Sequence, residues 1–423
     1  MRALTGLLGA SAASDFLPYL TDADPDLARA GSGRDPLGLQ PVWSGFGRKL
    51  VPYIASPVRK LSGIKAVLLI HWLSNTAPIR KLLLGAREER GFFRLMEGLI
   101  EYWLYSTRKD ECFGSRSLVA ASEKFSVTVD TGKTVANGLH QYYWGTCRRA
   151  GLLEDDWNVQ VDLRQSFVRL WSDDATQALA ATIRTCLRGQ PLVPARVLLD
   201  EAVSGSLRQV FERPDVNAVL RHALFGGDVY RDLARRYSLL RARDRAVAFG
   251  ENHVELAYPR LDEELGWMRR CEPFLVMLQD VFDLMRADCA SSVSSFATKL
   301  VPHASAIRER AREFSALDGQ LDSNRLRQLQ TLASSLTASQ GDSEVECLSR
   351  FAKQLVQHHG ASMDERGRDP FVLLEGENLV QSAPGERDAE DAQRRLREGY
   401  PWMNDYYLGA AADLYEQLYG EAT

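Results

Sequence analysis

The chain has 423 residues, 45% of them hydrophobic and 26% charged, with a formal net charge of −4. That length accommodates two or three hydrophobic cores, and the composition excludes a disordered or low-complexity chain. Its six cysteines (Cys112, Cys147, Cys186, Cys271, Cys289 and Cys347) lie far apart with no CxxC pair. This excludes a disulfide framework or a zinc knuckle and points to a reduced, cytoplasmic protein.

Met1 to Ala13 combines one Arg, a short apolar run and an Ala-Ser-Ala triplet. Thr5, Gly6 and Gly9 interrupt that run, so an export signal is not expected. Asp35-Pro36-Leu37-Gly38 opens the folded part. Trp43 to Pro52, punctuated by Gly45 and Gly47, reads as a flexible loop and turn. It lacks the Walker spacing and the third glycine of GxGxxG, so it is not a phosphate loop. Ile64 to Trp72 reads as a buried helix, with His71 a hydrogen-bonded core residue rather than a ligand. Its apolar run is shorter than the roughly 20 residues needed to cross a bilayer, and no membrane partner is expected. Pro78 starts a further helix with Arg80 and Lys81 in its first turn.

Charge is unevenly distributed. Gly45 to Arg90 holds nine Lys/Arg against two Asp/Glu, and Gly91 to Leu152 holds eight against six. That stretch is therefore +9 and the remainder −13. A basic lobe on an acidic chain fits an anionic partner, or else a basic face docked on the chain's own acidic half.

Phe92 to Val161 carries the strongest pattern. Phe92, Phe93, Leu95, Met96, Leu99, Ile100, Trp103 and Leu104 recur at helical spacing. Gly114 and Ser115 break it, Leu118 to Phe125 reads as a short helix, and Asp130 to Gly132 as a turn. The next helix runs from about Lys133 to Ala150, with Val135, Leu139, Tyr142, Tyr143 and Cys147 inward. Gly151 suits a left-handed C-cap, and Leu153 to Val161 reads as a two-stranded wing around Glu154-Asp155-Asp156. The order is that of a winged helix. Lys133, His140, Gln141, Arg148 and Arg149 lie outside the apolar set, where they could read base edges and phosphates. Arg116 and Lys124 fall on or beside the preceding helix, and Arg48, Lys49, Arg59 and Lys60 are further phosphate contacts. The acidic wing tip opposes a duplex backbone, and a winged helix used for protein contact is the competing reading.

Beyond Asp162 the chain reads as helices: Asp174 to Leu187, Pro194 to Phe211, Pro214 to Leu224, Asp228 to Arg241, Asp262 to Ala287 kinked or divided at Pro273, a helix after Ser292 interrupted near Pro302, Leu321 to Leu336, and Ser343 to His358. No solenoid period is evident. Phe371 to Gln381 reads as a β-hairpin, followed by helices at Ala389 to Glu398 and about Tyr406 to Tyr419. His358-His359 with Asp364, Glu365, Arg366 and Asp369 is the best catalytic candidate, as a metal-dependent nuclease. Adjacent histidines on a helix point about 100° apart, and neither HExxH nor a Glu-x-Lys is present. No GxSxG elbow occurs. No catalytic residue, metal or cofactor is therefore assigned.

Asp35-Pro36-Leu37-Gly38, Leu50-Val51-Pro52, Val58-Arg59 and Val67 to Leu73 resemble the opening of uncharacterised bacterial proteins encoded in anti-phage defence islands. His358, Arg366-Gly367 and Pro370-Phe371-Val372 resemble their ends. The resemblance covers about a fifth of the chain and transfers no active-site residue. It implies a multi-gene defence setting near DNA helicases, nucleases or methylases. The expectation is thus a mainly α-helical protein with a winged-helix-like module in its first half and a small C-terminal β-hairpin. Its segments would be a helical one with a basic loop (1–90), the module (91–165), a helical array (166–360), and the hairpin with terminal helices (361–423). It would bind double-stranded DNA without enzymatic activity, as one subunit of a defence complex. A helical adaptor that binds partner proteins is the alternative, and the nuclease a second.

Overall fold

The computed structural model describes residues 35–55, 57–108, 125–128, 139–189, 192–250, 259–287, 291–317, 324–337, 342–381, 389–399, 402 and 404–420. These residues are mainly helical, with two antiparallel sheets of two strands each. The chain forms two compact units, each discontinuous in sequence. Met1–Lys49 joins Arg243–Tyr406, and Leu50–Ala242 joins Tyr407–Thr423. Four consecutive segments were expected instead. The carboxyl-terminal helix rejoins the amino-terminal half, which no local sequence signal announces.

Helix α1 spans Gln40–Leu50, where a glycine-punctuated loop was expected. Val42 and Phe46 are one helical turn apart and both buried. The Asp35 carboxylate accepts from the backbone N–H of Leu39 (2.8 Å) and Gln40 (2.9 Å), satisfying donors that a helix start leaves open. Burial and capping outweigh the roughly 1 kcal/mol that each interior glycine costs.

Helix α2, Leu61–Ser74, has twelve of its fourteen residues buried. A helix with no polar face has to be surrounded. Helices α3 (Ala86–Trp103) and α4 (Leu139–Arg149) pack against it. Gly63 makes the α4 crossing possible, since a Cβ there would sit 2.3 Å from Tyr143 Cζ. Even Lys65 is enclosed, its Nζ donating to the Phe211 carbonyl at 2.9 Å. Gly151 ends α4 with φ +66°, as its position predicts.

The expected wing is reduced to one bridge between Leu153 and Val159. Val161, expected on a strand, begins helix α5 (Val161–Leu170) because the Gln160 side chain caps it. Its Oε1 accepts from Asp162 N–H (3.0 Å) and Leu163 N–H (3.1 Å), and Leu163, Phe167 and Leu170 are buried. The short helix expected over Leu118 to Phe125 and the start of α4 lie outside the described residues, apart from Phe125. Strand β1 (Ser126–Thr128) pairs with β2 (Leu192–Pro194), with Val127 opposite Val193. The expected helix from Pro194 to Phe211 is divided, because Asp200 caps a new start. Helices α6 (Asp173–Leu187), α7 (Glu201–Glu212), α8 (Pro214–Phe225) and α9 (Asp228–Ser238) follow.

In the other unit α10 is one helix, Pro259–Ala287, that continues past Pro273 rather than dividing there. Helices α11 (Val293–Leu300) and α12 (Ala304–Ser315) are separated by a short 3-10 turn at Val301–His303, which contains Pro302. Helix α13 is Asn324–Thr337, and α14 (Glu344–Asp364) starts with a Ser343/Glu346 capping box. Strands β3 (Val372–Glu375) and β4 (Asn378–Gln381) form the expected hairpin, turning at Gly376 with φ +62°. Helix α15 is Ala389–Glu398. The last helix, α16 (Leu408–Tyr419), packs on α9, α8 and α2 of the first-described core. No helix among the described residues is long and apolar enough to cross a membrane.

Gly63→Ala is expected to destabilise the protein by roughly 1–3 kcal/mol, because the methyl group forces α4 off α2. Urea denaturation checks this, and an unchanged midpoint would contradict the packing described.

Candidate functional site: an aromatic pocket beside α4

The residues expected to contact DNA fall in both compact units and partly outside the described residues. Lys133, Arg116 and Lys124 lie outside the described residues. Arg48 and Lys49 belong to one compact unit, Arg59 and Lys60 to the other. Arg59 pairs with Asp413 at 2.9 Å. On α4, Gln141 and Arg148 are exposed and Arg149 is half-buried, but the His140 ring turns inward. Arg148 donates to Asp155 at 2.7 Å. Its guanidinium carbon also lies 5.4 Å from the Trp157 ring centre and 5.9 Å from that of Trp144.

The nuclease candidate is built into the fold. His358 Nε2 bonds the Leu37 carbonyl at 2.9 Å, and His359 Nδ1 bonds the Pro36 carbonyl at 2.8 Å. His359 Nε2 accepts from Phe371 N–H at 2.8 Å. Arg366 pairs with Asp35, and Glu365 with Arg325. His358, His359 and Arg366 thus meet the chain at Asp35 to Leu37. Among the described residues, no group of three or more His, Cys, Asp or Glu side chains could hold a metal ion.

A cavity of about 650 Å³ lies in the unit containing α2, α3 and α4. The C-terminal turn of α2 supplies His71 and Ser74, with Asn75 next, and the one-turn helix Ala77–Arg80 supplies Arg80. Glu89, Arg90, Phe93, Arg94 and Glu97 recur at three- and four-residue steps along one side of α3. Helix α4 brings His140 and Gln141, and the loop before α5 brings Asp156 and Trp157.

The rings pack continuously. His71 lies 4.7 Å from Phe93, 5.5 Å from His140 and 5.3 Å from Trp157, with the last pair stacked at 12°. Trp157 has φ +66°, a left-handed conformation that costs a bulky residue roughly 1–3 kcal/mol. It is held there by its N–H to the Glu154 carbonyl (3.0 Å) and by Glu154 N–H to the Asn158 carbonyl (2.9 Å).

Burial sets the protonation of this site. It lowers the His71 pKa to about 3, with His140 nearby adding to the effect. It lowers that of His140 as well, so both rings are neutral at pH 7. Burial raises Glu97 to about 7 against the opposing hydrogen bond from His140 N–H (2.6 Å) and the charge of Arg94. One turn along α3, Glu101 rises to about 9, through burial first and the Glu97 charge second. The pocket therefore offers two neutral imidazoles and a carboxyl group that exchanges its proton near neutrality. The sequence places His71 in the core, Phe93 on an apolar helix face and His140 and Gln141 among the DNA-contact candidates, but does not show that they meet in a pocket. The available signals were the α3 stripe and a tryptophan inside an acidic turn.

No protein-family model matches the chain, and neither a curated protein nor a solved structure does.

Glu97 and Glu101 hold their protons more tightly folded than unfolded. The stability they contribute is full below their ordinary value of about 4.5 and is lost as pH rises through 7 and 9. Glu101→Gln is neutral at every pH. It should flatten this decline and add roughly 1–3 kcal/mol at pH 8, with little change at pH 5. Denaturant titrations at the two pH values check this, and equal effects at both would contradict the assignment.

Proposed function

We propose that the chain is a non-enzymatic DNA-binding subunit of a bacterial multi-protein defence system, meeting double-stranded DNA along α4 of a winged-helix-like module. One observation supports this above the others. Gln141 and Arg148 are exposed seven residues apart on α4 and so share one face. Gln and Arg are side chains that can contact purine edges in a major groove. The unit that carries α4 holds 27 Lys/Arg against 23 Asp/Glu, whereas the other unit is net acidic. Asp155 pairs with Arg148, but that carboxylate is fully exposed, and solvent screening leaves such surface pairs weak. A phosphate can displace it.

Protein docking through the same module is the second reading. Val161 and Val168 favour it, being 51% and 64% exposed and two turns apart on α5.

Anisotropy titrations of a labelled duplex over a range of salt concentrations test the proposal. Neutralisation of about four phosphates gives a log–log salt slope of roughly −3.6. Arg148→Ala should cost about 1–3 kcal/mol and reduce the slope by about 0.9, while Asp155→Ala should tighten binding. No affinity at low salt, or an unchanged Arg148→Ala variant, would leave the protein-docking reading.

A further inference from the structure

We infer that the pocket between α2, α3 and α4 binds one unstacked nucleotide, its base against Trp157 and its phosphate on Arg80, Arg90 and Arg94. The nucleotide is either a free nucleoside monophosphate or one turned out of a nucleic-acid strand. The strand source rests on the DNA reading above, and the free source does not.

Four features of the pocket carry this. Its volume, about 650 Å³, is that of a small-molecule site, which typically spans about 300–1,000 Å³. Its walls are aromatic. Trp157 stacks on His71 and has the Arg148 guanidinium over its ring at 5.4 Å, yet remains 38% exposed, so a planar base can stack on it beside or in place of that guanidinium. Its charged lining holds three guanidiniums against Glu89, Asp156 and the half-titrated Glu97, a balance that favours an anion. Last, the pocket contains unspent hydrogen-bonding capacity. His71 is 4% exposed, and its Nε2 has no hydrogen-bond partner among the described residues. A buried polar atom left so is costly, and a ligand that bonds it removes the cost. A base edge, which carries both donors and acceptors, matches a neutral imidazole and the Glu97 carboxyl group.

An aromatic cage can instead hold an organic cation. The three arginines oppose that occupant here.

The test uses the full chain and follows tryptophan fluorescence and calorimetry. The ligands are the four nucleoside monophosphates, adenosine, ribose 5-phosphate, choline and a single-stranded 12-mer. At least one monophosphate should bind saturably, about tenfold or more tighter than adenosine or ribose 5-phosphate. Trp157→Gly removes the stacking ring while suiting the left-handed backbone, and Arg90→Ala alters only an exposed side chain. Each should weaken the monophosphate about tenfold or more, the size of a lost base–aromatic stack. Displacement by the 12-mer at lower concentration than by free monophosphate assigns the strand source, and the reverse order the free one. The inference is overturned if neither monophosphates nor the 12-mer bind. It is also overturned if ribose 5-phosphate binds as well as a monophosphate, if choline binds instead, or if Trp157→Gly binds normally. Duplex retention without mononucleotide binding would remove the pocket inference and leave the DNA reading standing. Mononucleotide binding without duplex retention would do the reverse.

Discussion

Helix α2 can be buried only if other helices enclose it, and the unit around it follows from that requirement. Leu61–Ser74 offers water almost nothing, so its neighbours must cover every side. Hydrophobic burial at about 25 cal/mol per Å² makes any uncovered face expensive. Gly63 admits the Tyr143 ring and thereby fixes the level at which α4 crosses. That crossing places His140 over His71 and leaves Gln141 exposed at the rim of the pocket.

Enclosure also sets the chemistry. The stripe on α3 that packs towards α2 and α4 includes Glu97 and Glu101, and the apolar surroundings hold their protons on. Low dielectric strengthens every interaction inside the pocket and penalises any polar atom left unsatisfied. Trp157 closes the arrangement in a strained conformation that Arg148 supports from outside. Arg148 therefore links the outer face of α4 to the pocket wall.

Local signals made much of the fold legible. The apolar period of α3, the glycine that ends α4, the break at Pro302, the Ser343 cap and the hairpin at 372–381 are each encoded within a few residues. The errors arose where side chains reached beyond such a window. Asp35 turned a glycine-bearing loop into α1, and Gln160 turned an expected strand into α5. The return of α16 to the amino-terminal half depends on tertiary packing alone. The pocket was illegible for the same reason. Residues 71, 93, 140 and 157 meet only because α2 is wrapped, and one sequence does not display distances between them. His71 was correctly placed in the core, but its unsatisfied nitrogen becomes visible only with its surroundings in place.

On the proposal made here, the aromatic pocket beside α4 holds a nucleotide. Photocrosslinking tests it most directly. A single-stranded oligonucleotide carrying one 4-thiothymidine would be irradiated with the full chain, and the adduct mapped by mass spectrometry. The expected adduct lies on Trp157, Phe93 or His140. Adducts confined to peptides outside the pocket, or none despite measurable binding, would contradict it.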